Sequence, residues 1–73
     1  MNTKTENAKL DYLYAFDALF SAKCKAAGIN ARRWEQGMWT NAHMSYGMGA
    51  SLEGGVEKWF AHVVSVENSK LTK

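Results

Sequence analysis

Few side chains in this 73-residue chain are of the kinds that carry out covalent or metal chemistry: one cysteine, Cys24, two histidines, His43 and His62, and seven carboxylates. A transition-metal site needs His, Cys, Asp or Glu at helical intervals, and neither histidine has such a partner three or four positions away. A thiolate nucleophile needs a lowered pKa, but Cys24 is expected near the end of a helix, with Lys23 and Lys25 as its only cationic neighbours. Its expected role is that of a small buried apolar residue. Gly47-Met48-Gly49 has the first two glycines of a dinucleotide fingerprint, yet Leu52 stands where the third belongs and no strand precedes it. The carboxylates are spread along helical segments in the manner of a solvated face. These residues predict neither an enzyme nor a metal or cofactor site.

The residues that invite a functional reading are rings. Trp39, His43 and Tyr46 fall at helical spacing, well round from a line formed by Trp34, Met38, Ala42 and Ser45. A helix with rings on two faces needs a third helix or a second chain to cover both. Trp, Tyr, Met and Arg are the side chains enriched at the cores of protein interfaces. Tyr14, on the polar side of the first helix, is a candidate for the same patch, and Arg32 and Arg33 for its rim.

The elements that hold these rings are helical. The chain has no proline, its first third is rich in alanine, and no run alternates as a strand does. The first helix is expected from Thr5 to Ala27, with Tyr12, Ala15, Phe16, Leu19, Ala22 and Ala26 inward and Leu13 and Phe20 widening the stripe. Gly28 followed by Ile29 reads as a helix stop, and Asn30 as the cap of the next helix, from Ala31. Met44 and Met48 lie beside that helix's core line. Four glycines between Gly47 and Gly55 predict a turn there. The last helix sets Leu52, Val56, Trp59, Phe60, Val63 and Val66 against Glu57, Lys58, His62 and Ser65. The result is an all-α bundle of about three helices, one domain over residues 1–73, with 1–4 and 68–73 as loose ends.

A chain this short buries a modest share of its surface, and three each of Trp, Tyr and Phe are much ring area for a three-helix core. A partner protein or a homodimer is the natural remedy. A single cysteine forms no internal disulfide, which suits a reducing cytoplasm. The start has no apolar run of signal-peptide type and no stretch long enough to span a membrane, so a soluble cytoplasmic protein is expected. A net charge of +2 is far from that of a protein that coats nucleic acid.

The segment Cys24-Lys25-Ala26-Ala27-Gly28-Ile29-Asn30-Ala31-Arg32-Arg33-Trp34 resembles the centre of a helix-turn-helix. Cys24 stands as the small residue four places before the turn glycine, Gly28, with Ile29 after it and Trp34 six places on. The resemblance implies a DNA-binding regulator in which Arg32, Arg33, Gln36 and Glu35 face the major groove and Lys23 and Lys25 meet phosphates. The chain departs from that family in its long first helix and in Gly37, Met38 and Trp39, where a stiff polar reader is usual.

The leading expectation is a non-catalytic helical module that binds protein. By analogy alone, small phage and mobile-element proteins such as anti-CRISPR inhibitors act by occupying a functional surface of a bacterial protein or nucleoprotein complex. The DNA-binding regulator is the alternative.

Overall fold

The computed structural model describes residues 3–71, with side chains from 7 to 69. Among the described residues there are three α-helices and no strand: α1 (Thr3–Ala27), a short 3-10 turn (Ala31–Trp34), α2 (Glu35–Gly47) and α3 (Leu52–Leu71). The small helical bundle with a long first helix is therefore the fold. Helix takes in part of both ends expected to be loose, and residues 1, 2, 72 and 73 lie outside the described residues.

Both connections are built from the same local device. Gly28 adopts φ 74°, its N–H donates to the Lys25 carbonyl (3.2 Å), and the Ile29 N–H donates to the Cys24 carbonyl (2.8 Å). Glycine takes this left-handed conformation without the strain of a Cβ, and the two bonds satisfy carbonyls that a helix end leaves open. Gly49 (φ 76°) repeats the pattern after α2, its N–H donating to Tyr46 and that of Ala50 to Ser45. The Asn30 side chain accepts from the Arg32 N–H at 3.1 Å, and the chain first winds as 3-10 through Trp34. The second α-helix thus begins at Glu35, four residues later than the spacing predicted.

The turn after α2 is shorter than its glycine content suggests. Gly54 and Gly55 lie inside α3, whose first turn is held by Ser51: its Oγ accepts from the Gly54 N–H and its carbonyl from the Gly55 N–H. From α1 the Tyr12 hydroxyl reaches over and donates to the Ala50 carbonyl at 3.1 Å, tying the turn down. Gly55 is buried where α3 passes α2, and a Cβ there would stand 2.8 Å from Ser45 Oγ.

The core is one line of side chains: Leu13, Phe16, Phe20 and Cys24 from α1, Met38 and Ala42 from α2, Val56, Trp59 and Val63 from α3. Each fully buried aliphatic or phenyl group contributes ~1.5–3 kcal/mol, so each is a large share of a small domain's stability. The α1 stripe corrects the expected one. Leu13, Phe16 and Phe20 are buried and Tyr12 and Leu19 pack against the core as expected, but Ala22 and Ala26 are exposed, so the inward face is centred on Leu13, Phe16, Phe20 and Cys24 rather than on the alanines. Met44 and Met48 are exposed as well, whereas Met38 fills the core.

Candidate functional site

Each helix of the bundle packs on the other two, which gives α2 two inner flanks. Towards α3 the 3-10 turn that leads into α2 presents Trp34, whose ring meets Trp59 edge-on at 6.0 Å and whose Nε1 donates to Glu67 Oε2 at 2.8 Å. Towards α1 the helix itself presents Trp39, which meets Tyr14 edge-on at 6.3 Å, and Tyr46, which meets Tyr12 at 5.3 Å. The two ringed faces of the sequence are these flanks. Trp39 and Tyr46 are half-buried, so α1 supplies much of their cover. His43, between them in sequence, is exposed, and Tyr14 is 63% exposed beside Trp39.

Between its flanks α2 turns an outer strip to solvent: Gln36, Thr40, His43, Met44, Gly47 and Met48 are all exposed. From Gln36 to Leu52 the chain contains no Asp, Glu, Lys or Arg. Soluble surfaces are commonly a quarter or more charged, and interface cores are depleted of charge and enriched in methionine and rings. Met44 is 56% and Met48 74% exposed. Spacing set the two methionines beside the core; the run without charges was the sequence signal that this exposed strip differs from an ordinary solvated face.

On the α3 side of the strip lies an open groove of about 720 Å³, lined by Met44, Met48, Trp59, Lys58 and His62 among others. The His62 ring stacks on Trp59 at 5.4 Å. Trp59 Nε1 is buried with no hydrogen-bond partner, a loss of ~1–3 kcal/mol for a donor so placed.

The basic residues at the α1–α2 connection are separated. Arg32 is 87% exposed and pairs with Glu35 at 3.9 Å, a contact worth little in solvent. Arg33, Gln36 and Lys25 are exposed, while Lys23 lies on the other side of α1 with its ammonium 5.7 Å from the Phe60 ring centre. Lys25 and Arg32 border a second groove of about 490 Å³ that also holds Asp17 and Glu35, so its charge is mixed. At the turn Cys24 is buried, Gly28 is left-handed, and Ile29 and Trp34 pack on the core, but the chain then winds as a 3-10 turn through Arg32, Arg33 and Trp34, so of the expected groove-facing residues only Glu35 and Gln36 lie on α2.

Burial pushes the Cys24 thiol above its ordinary range, and the Glu67 carboxylate adds to the shift. The thiol stays protonated at neutral pH, the opposite of what a nucleophile needs. Among the described residues no three His, Cys, Asp or Glu side chains come together as metal ligands, and no helix is long and apolar enough to cross a membrane. No protein-family model, curated protein or solved structure matches the chain.

Proposed function

We propose that this chain is a small non-catalytic module that binds another protein through the outer strip of α2 and the rings beside it. Tyr14, Trp39 and His43 are the anchors, Tyr46 supports their flank, and Arg32 and Arg33 stand at the rim. The observation that carries the reading is the exposed outer strip of α2, within a run from Gln36 to Leu52 that has no Asp, Glu, Lys or Arg, with Met44 and Met48 turned outward. Methionines repack against irregular surfaces at little cost, and a strip without charges sheds its water readily. A protein with this surface and no catalytic group acts by occupation. An inhibitor of a bacterial protein or nucleoprotein complex in the cytoplasm, of phage or mobile-element type, is the biological setting that fits by analogy. A homodimer through the same strip is the simplest self-partner.

The test is capture from nuclease-treated bacterial lysate. Wild-type protein is expected to retain one stoichiometric protein or complex, which His43→Glu loses because a carboxylate must then be desolvated in the interface. Capture that survives the charge, or an empty capture from a monomeric protein, would overturn the reading.

The turn geometry at Gly28, with Arg32, Arg33 and Gln36 exposed after it, favours DNA binding as the second reading. In that case affinity falls steeply with salt and Arg32→Ala with Arg33→Ala weakens it, while His43→Glu acts only as one added negative charge.

A further inference from the structure

We infer that the groove between α2 and α3 receives an acidic, amphipathic helix of the partner protein, which packs there as a fourth helix of the bundle. The inference rests on the binding-module reading and names the partner's chemistry. The first ground is shape. The lining runs along α3 from Ser51 to His62, about 16 Å or three turns of helix. The α2 wall carries Met44, Ser45 and Met48, and the start of the α3 wall carries the exposed Gly54, where a partner's backbone can approach closely because there is no side chain; Gly55 is taken up by the packing of α3 on Ser45. Helices laid into such grooves are held by apolar side chains at every third or fourth position. Met44 and Met48, one turn apart, and Trp59 offer matching contacts.

The second ground is charge. Lys58 is the charged side chain that lines the groove, His62 adds a ring N–H that can donate to a carboxylate, and no Asp or Glu lines it. Lys58 and His62 stand four residues apart on α3, about 6 Å along its axis, which is the spacing of acidic groups three or four residues apart on a facing helix. The opposite wall, from α2, has no charge to compete with them. A basic helix would therefore meet like charge on one wall and find no counter-charge on the other, which disfavours it.

The experiment is selection from a displayed library of helical peptides of about 14 residues, enough to cover three turns, against the wild-type protein. The selected pool is expected to be rich in Asp and Glu flanking an apolar stripe. Individual peptides should bind Met48→Asp about tenfold or more weakly, and Lys58→Glu should shift preference from acidic towards basic peptides by a similar factor. Both residues are exposed, so neither change threatens the fold. A pool without acidic bias, or one whose binding ignores both variants, overturns the inference. If that pool instead loses binding with Tyr14→Ala, the module reading stands and only the groove assignment falls. No selectable binder at all counts against both.

Discussion

The packing of α2 on Trp59 of α3 gives a prediction in which one substitution has opposite signs at two glycines of α2. A Cβ on Gly37 would stand 2.9 Å from Cη2 and 3.1 Å from Cζ2 of Trp59, while one on Gly47 meets nothing within 4 Å. The Trp59 ring is rigid, 9% exposed, and wedged between Phe20 and Trp34, so it cannot yield without moving other core rings. Overpacking of this kind costs ~1–3 kcal/mol, and replacing a helical glycine by alanine returns at most ~1 kcal/mol. Gly37→Ala is thus expected to destabilise by about 1–2 kcal/mol. Gly47→Ala, in the last turn of α2 with no clash, is expected to stabilise by about 0.5 kcal/mol. For a domain of this size 1 kcal/mol moves Tm by roughly 4–8 °C. Thermal unfolding followed by circular dichroism should therefore separate the variants on either side of wild type. If Gly37→Ala raises Tm as much as Gly47→Ala does, α2 does not pack on Trp59 as described and the wall of the α2–α3 groove is misplaced.

Three further outcomes follow from single contacts. Tyr12→Phe removes the hydroxyl that donates to the Ala50 carbonyl and should cost about 1 kcal/mol in urea unfolding, with faster amide exchange in the 48–51 turn. Glu67→Ala removes the acceptor of Trp34 Nε1 and should cost about 1–2 kcal/mol, with Glu67→Gln recovering part of it because an amide oxygen still accepts. Because the folded Cys24 thiol titrates above the unfolded one, its contribution is complete below about pH 8.5 and is lost as pH rises beyond that. The stability difference between wild type and Cys24→Ala, constant at neutral pH, should shrink by up to ~1.4 kcal/mol per pH unit in that alkaline window.

What could be read from the sequence divides by how local the cause is. Gly28-Ile29 and Asn30 announced the end of α1 and the following cap because those signals act through the nearest backbone groups. The α3 face was readable because its inward side chains are large and its outward ones charged. On α1 the centre of the stripe was misplaced because Ala22 and Ala26 are apolar yet carry almost no burial drive and lie on the exposed face, whereas the burial expected of Cys24 is what the bundle shows. Trp39 and Tyr46 were seen to need cover, but periodicity cannot tell a neighbour helix from a second chain, and here α1 stands beside both. Met44 and Met48 were left open in the same way. Their spacing put them beside the core line without deciding between the core and a partner, and the assembled bundle leaves both exposed.

The central claim is that the outer strip of α2 is a contact surface, and a single negative charge moved across the molecule tests it most directly. His43→Glu and Met44→Glu place that charge on the strip, while Ala22→Glu places it on the outer face of α1; all three positions are exposed. In capture from nuclease-treated lysate, the account predicts that the two strip variants lose the retained protein at unchanged Tm and that Ala22→Glu keeps it. Retention by all three, or equal loss by all three, would contradict it.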